Sequence, residues 1–272
     1  MIREINTGRD VSVLDRELTG GLGRFTFYHP VGTFSLTPAS NILIEAIIRN
    51  QKLIHGTGLD WGSGVGCLAI LAARIAAVYK LYGLEISEEN IRVARRNAVE
   101  NHVSEKTSFL LADSYVPYKE EDRQVVKALR GKVDFILANP PSSDWDDGFG
   151  YRRIVMEGAK EYLKKDGIVL LNISFQYGSK RRESLYKDID GFSYLGVTAS
   201  SDWVPFDLGR PDLLDCLKVY AQEEQNGGAE YIFRKGKVNE DFISAQVALD
   251  NYDKTGISPY TKWQTHLFKY TA

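Results

Sequence analysis

Between about Pro38 and Ser174 the chain alternates strand-like and helix-like segments, and a glycine-rich turn sits at the first strand-to-helix junction. Alternation of this kind permits few solutions. Successive strands lie parallel, joined by helical crossovers that cover the sheet. The turn reads Leu59-Asp60-Trp61-Gly62-Ser63-Gly64-Val65-Gly66. Glycine at every second position lets the backbone bend sharply and lets a ligand lie against bare main chain.

A helix is expected from Pro38 to Asn50. Thr37 is its cap, Pro38 lies in its first turn, and Ile42, Leu43, Ala46 and Ile47 form its apolar stripe. A strand ends at Asp60, a helix runs to about Ala77, and strand 78–86 gives way to a helix through Asn101. Further strands are predicted at 107–112, 133–138, 168–174, 192–200 and 262–270, with helices at 119–129 and 148–164. Residues 1–36 read as an N-terminal cap segment, and 37–272 as one domain carrying an insertion at about 203–240.

The spacing of the turn separates two kinds of ligand. The dinucleotide fingerprint is G-x-G-x-x-G, but Cys67 stands where its third glycine belongs. The pattern here is D-x-G-x-G-x-G, and Asp60 suits a cofactor with a positive amino end and no pyrophosphate. Glu85 ends the second strand, 19 residues beyond Gly66, where a carboxylate can accept two hydrogen bonds from ribose hydroxyls. Asp113 ends the third strand. Three acids therefore stand at three successive strand ends.

The fourth strand runs into Asn139-Pro140-Pro141-Ser142. Two prolines fix the backbone and hold the residue before them extended. On such a corner the Asn139 side-chain carbonyl and a main-chain carbonyl can both accept hydrogen bonds from a planar –NH2 group. Alignment and fixed dipoles can then carry catalysis without an acid or base of special pKa.

The glycine turn with its acids resembles motif I and the following strands of class I S-adenosylmethionine-dependent methyltransferases. Asn139-Pro140-Pro141-Ser142 is similar to their [N/D]-P-P-x motif for amide or exocyclic nitrogen. The likeness extends to release-factor glutamine methyltransferases and related N-methyltransferases, through Gly32–Pro38 and Asp147–Ile154, and covers about Gly32 to Ser174. It implies an α/β, doubly wound Rossmann-like sheet of seven strands, mostly parallel with an antiparallel last strand. It also implies S-adenosyl-L-methionine as cofactor, held by Thr37, Asp60, Gly62, Gly64, Gly66, Glu85, Asp113 and Asn139, with Asn139 and Pro140 catalytic. Asp113 would face the adenine amino group.

Two departures concern the substrate. Ser142 replaces the usual Tyr or Phe that stacks on a flat acceptor, and the loop that follows is short and acidic, with Asp144, Asp146 and Asp147. Ser142, Trp145 and Phe149 are the candidate substrate contacts. A protein side chain, a nucleic-acid base and an amine-bearing small molecule all stay open as substrate. Lys180-Arg181-Arg182 is a candidate phosphate contact, whereas a net charge of −2 and the acidic loop weigh mildly against nucleic acid. A catalytically silent cofactor-binding module is the alternative of another class. A NAD-dependent oxidoreductase is disfavoured by the missing glycine.

Composition narrows the setting. Cys67 and Cys216 cannot build a disulfide framework. The start, Met-Ile-Arg-Glu-Ile-Asn, lacks an apolar targeting core, and the longest apolar stretch, Val65 to Ala73, falls short of the ~20 residues a bilayer requires. A cytoplasmic protein with no membrane partner is expected. His29, His55, His102 and His266 show no metal-ligand spacing, so no metal is expected.

Overall fold

The structure is a computed structural model that describes residues 10–238 and 240–272. The first nine residues of the expected cap segment, and residue 239 of the expected insertion, lie outside the described residues.

In chain order, β1 (Val11–Leu14) and β2 (Phe25–Tyr28) form an antiparallel hairpin. Helix α1 (Pro38–Arg49) begins at Thr37 with a full capping box shared with Ser40, more than the lone cap the sequence suggested. There follow β3 (Gly56–Trp61), α2 (Cys67–Ala73), β4 (Val78–Glu85), α3 (Glu88–Glu100) and β5 (Thr107–Asp113). Next come β6 (Val116–Pro117), α4 (Glu120–Ala128), β7 (Val133–Ala138), α5 (Gly150–Tyr162) and β8 (Leu163–Asn172). A 3-10 turn at Phe175–Tyr177 leads to α6 (Gly178–Lys187) and β9 (Phe192–Ser200). Then β10 (Val204–Pro205), α7 (Pro211–Gln225), β11 (Phe233–Arg234), β12 (Phe242–Ile243), α8 (Ala245–Thr255), β13 (Tyr260–Thr261) and β14 (Gln264–Tyr270) complete the fold.

The main sheet has the order β6-β5-β4-β3-β7-β8-β14-β9. Strands β5, β4, β3, β7 and β8 are mutually parallel, and β14 runs antiparallel between β8 and β9. The expected seven-stranded sheet with an antiparallel last strand is thus present, with the two-residue β6 added on its edge. Chain order reverses at β3, which has β4 on one side and β7 on the other. That is the switch point at which doubly wound sheets open a crevice beyond their strand ends. Trp61 pairs with Ala138, so the glycine turn and the proline corner emerge side by side.

Each face of the sheet carries a core. One joins α1, α2, α3 and the hairpin, whose Phe25 and Phe27 are fully buried. The other joins α4, α5 and α6 with Leu217, Tyr220 and Ala221 of α7 and Ala245 and Ala248 of α8. Burying each of these aromatic rings contributes roughly 1.5–3 kcal/mol.

Two boundaries differ from expectation. Helix α2 stops at Ala73, as Arg74 and Ile75 turn back onto carbonyls of its last residues. Strand β8 starts directly from α5, because Leu163 is buried against Val133; the chain then bulges through Asp166 (φ 67°) before Ile168 meets Phe135. The elements β10 to β13 form a separate four-stranded sheet, and α7 packs on α8. These elements run from Val204 to Thr261, beyond the 203–240 expected for an insertion.

Candidate active site

Gly62, Gly64 and Gly66 all adopt left-handed conformations, with φ of 68°, 52° and 85°. Their surroundings differ. A Cβ on Gly66 would press into the Phe109 ring at 2.8 Å, so this glycine is needed for helix-to-sheet packing. A Cβ on Gly62 would meet nothing within 4 Å, so this glycine leaves bare main chain facing open space. Phe34 lies over Gly64, tied down by its N–H donating to Asn90 Oδ1 at 3.0 Å.

The two acids beside the turn are buried, and among the described residues no cation pairs with them. Glu85 accepts from Gly64 N–H (2.7 Å), Ser87 N–H (2.9 Å) and Asn90 Nδ2 (3.2 Å). A carboxylate has about four acceptor sites, so about one remains for a ribose hydroxyl, not the two expected. Asp60 accepts from Ala69 N–H through Oδ2 at 3.0 Å, but its Oδ1 and the Ser63 hydroxyl are buried without a partner. Burial pushes the Asp60 carboxyl up to about 8; the Ala69 N–H opposes the rise and nearby Glu85 adds to it. Asp113, at the end of β5, is exposed. The Thr37 side chain is engaged in its helix cap with Ser40. His29 is buried at the end of the hairpin with Nε2 2.7 Å from Ser12 Oγ. Cys67 opens α2 as a core residue, and burial raises its thiol pKa.

The proline corner is built the opposite way. Asn139 is half-buried: its Oδ1 accepts from Asn172 Nδ2 at 2.8 Å, and its Nδ2 donates to Ser40 Oγ at 3.4 Å. Asn172 is itself held, donating to the Ala39 carbonyl at 2.8 Å and accepting from the Thr265 hydroxyl. Arg152, 4% exposed, donates to the carbonyls of Pro140 (3.2 Å), Pro141 (3.1 Å), Gly148 (3.4 Å) and Asn172 (3.0 Å). Its guanidinium also lies 4.6 Å from the centre of the Tyr177 ring. Each candidate acceptor, Asn139 Oδ1 and the Pro140 carbonyl, thus carries one protein donor and keeps its other lone pair.

Ser142 is covered by α7. The Tyr220 hydroxyl donates to Ser142 Oγ at 3.2 Å and lies 2.9 Å from the Tyr177 hydroxyl, and its ring stacks on Tyr231 at 4.2 Å. Trp145 is 56% exposed and packs edge-on against Tyr151. Phe149 is fully buried beneath Arg152, Arg153 and Tyr177, so it is a core ring and not a surface for substrate. The acidic loop is compensated from within. Asp146 pairs with Arg153, and Asp147 pairs with both Arg153 and Arg181. Burial alone would raise Asp147, but hydrogen bonds and charge from Arg153, with Arg181, hold it below the usual carboxylate range. Arg181 is therefore a buried tie between α6, the loop and the carbonyls of Ala229 and Glu230, unavailable as a phosphate contact.

Sequence reasoning missed Arg152, Asn172, Ser40 and Thr265. Only Asn172 carried a visible signal, a polar residue inside a buried apolar strand. Among the described residues no cluster of His, Cys, Asp and Glu could hold a metal, and no helix is long and apolar enough to cross a membrane.

The chain is similar to known proteins over much of its length. The chain is 29% identical over 151 residues to a release factor glutamine methyltransferase of Thermodesulfovibrio yellowstonii, covering 50% of this chain and 54% of that protein. It is 26% identical over 180 residues to its counterpart from Chlorobaculum tepidum, covering 58% and 56%. The chain spans about half the length of the curated relatives it matches. Its fold is similar to that of the M. jannaschii tRNA m1G37 methyltransferase, with a TM-score of 0.53 at 12% identity over 98% of this chain and 59% of that one. The family described as methyltransferase small domain matches residues 24–189, and the chain belongs to it.

Proposed function

We propose that the chain transfers a methyl group from S-adenosyl-L-methionine to an amide or exocyclic amino nitrogen, in a reducing, cytoplasmic setting. The observation that carries the reading is the juxtaposition at the switch point: a glycine turn with two unpaired acids beside a proline corner presenting carbonyl oxygens.

The residues at the turn fit the cofactor. Bare main chain at Gly62 offers contact surface, and the unpartnered Asp60 Oδ1 and Ser63 hydroxyl suit a group that brings positive charge and N–H donors. Glu85 keeps acceptor capacity for a ribose hydroxyl, and Asp113, exposed at the end of β5, would face the adenine amino group. When bound, S-adenosylmethionine supplies an electrophilic methyl group on a sulfonium.

The chain's own work is on the acceptor. Asn139 Oδ1 and the Pro140 carbonyl accept hydrogen bonds from the acceptor –NH2, turning its lone pair toward the methyl group. Because Asn172, Ser40 and Arg152 already fix both oxygens, little reorganisation remains at the moment of transfer. The nitrogen's proton then passes to solvent.

The substrate class is tested by incubating the protein and methyl-labelled S-adenosylmethionine with cell extract, then separating RNA, DNA, protein and small molecules. Label is expected in one fraction. No label in any fraction, or thermal stabilisation by NAD and not by S-adenosylmethionine or S-adenosylhomocysteine, overturns the reading.

A further inference from the structure

Prolines 140 and 141 stiffen the corner but create a problem in fastening it. Proline has no backbone N–H, so two successive residues cannot tie themselves to the protein through main-chain donors. Their carbonyls are the only polar handles left. Both point to the same group, the Arg152 guanidinium, at 3.2 and 3.1 Å.

That group is unusual for its setting. Arg152 is 4% exposed, and among the described residues no carboxylate pairs with it; the neighbouring acids Asp146 and Asp147 are taken by Arg153 and Arg181. A buried cation without a counter-ion is costly and survives only where its donors are well satisfied. Four main-chain carbonyls and the face of Tyr177 satisfy this one. The choice of carbonyls is informative. Pro140 and Pro141 belong to the corner, and Gly148 closes the loop after it. Asn172 ends β8, and its side chain orients the Asn139 amide. One planar fork with five donors therefore sets the two candidate acceptors, Asn139 Oδ1 and the Pro140 carbonyl, at a fixed separation.

We propose that Arg152 is a positioning residue of the acceptor half of the site, holding the Asn139–Ser142 corner in register with Asn172. The assignment rests on the methyl-transfer reading. Arg152 touches neither donor nor acceptor, and acts through the carbonyls it grips. A lysine keeps the charge but offers a compact point with three donors and cannot span four separated carbonyls. Charge alone therefore does not substitute.

The test compares wild type with Arg152→Lys and Arg152→Met. Transfer of label to the fraction that wild type labels should fall about 100-fold in kcat, the size expected for ~1 Å of misplacement, in both variants. Affinity for S-adenosylhomocysteine, measured by calorimetry, should stay within about twofold, because the glycine turn contributes nothing to Arg152 and takes nothing from it. Hydrogen–deuterium exchange gives a readout free of turnover: residues 142–150 should exchange faster in both variants, and residues 60–69 at the wild-type rate. Arg152→Lys with wild-type turnover and wild-type exchange at 142–150 overturns the proposal. So does an equal loss of cofactor affinity and turnover, or failure of both variants to fold, since each makes Arg152 a general prop of the core. A wild type that labels nothing refutes the methyl-transfer reading instead, and the exchange measurement still decides whether Arg152 holds the corner.

Discussion

Two neighbouring strands end in opposite solutions to the same task. After β3 three glycines free the backbone, and among the described residues the acids Asp60 and Glu85 pair with no cation. After β7 two prolines fix the backbone, and among the described residues the cation Arg152 pairs with no acid. Adjacent strands lie only ~4.8 Å apart, so a turn lined by two buried carboxyl groups and a positively anchored corner share one crevice. The pairing teaches that the two halves answer different demands. On the proposed function, the turn yields surface to a positively charged cofactor, whereas the corner keeps two oxygen atoms still.

If the halves are separable, substitutions should sort between them. The largest effect is expected for Asn139→Ala, which removes an acceptor at the corner: turnover falls roughly 10²–10³-fold, by the scale of one positioned hydrogen-bonding group, with cofactor affinity nearly intact. Unchanged turnover would take Asn139 out of the mechanism. Glu85→Ala should act on the other half alone. It frees three donors and weakens S-adenosylhomocysteine binding about ten- to a hundredfold, from roughly 1.5–3 kcal/mol for a charged hydrogen bond. Equal affinity by calorimetry would remove the ribose contact.

A third experiment separates the halves by pH. The folded Asp60 carboxyl holds its proton to about 8, against 3.8 for the ordinary group, so the folded protein binds that proton more tightly than the unfolded chain. This contribution to stability is complete below about pH 4 and is lost as pH rises toward 8. Asp60→Asn should flatten the decline of Tm between pH 5 and 8, each kcal/mol being worth about 2–4 °C. Parallel profiles for variant and wild type would show that Asp60 ionises normally. The smallest effect is expected for Tyr220→Phe, which deletes the hydroxyl between Ser142 and Tyr177. A loss of about 1 kcal/mol should lower Tm by about 2–4 °C and leave cofactor affinity alone. A shift in cofactor affinity would tie α7 to the turn and blur the division.

What the sequence made legible was local. The glycine turn, the strand-end acids and the proline corner each declare themselves within a few residues, and their order along the chain carries the resemblance that implies a doubly wound sheet. What it hid depends on distance or on partners. Arg152 meets Pro140 across 12 positions and Asn172 meets Thr265 across 93, separations that no pattern of single residues encodes. Phe149 looked available because one aromatic near the corner can face either the core or the crevice. The acidic loop looked hostile to phosphates until Arg153 and Arg181 were found neutralising two of its acids. With that compensation, the charge of this loop weighs less against a nucleic-acid substrate, Asp144 being the acid without an ion pair among the described residues. The strands β10 to β13 are two residues each and carry no periodicity of their own.

The place of β14 bears on how the molecule assembles. Glu85 reaches Gly64 across 21 positions. The brace that runs from Thr265 through Asn172 to Asn139 requires a strand from far along the chain to slot between β8 and β9. Loop-closure entropy grows with such separations and slows the formation of the contacts that depend on them. The brace on Asn139 thus closes over a far longer separation than the contact between Glu85 and Gly64.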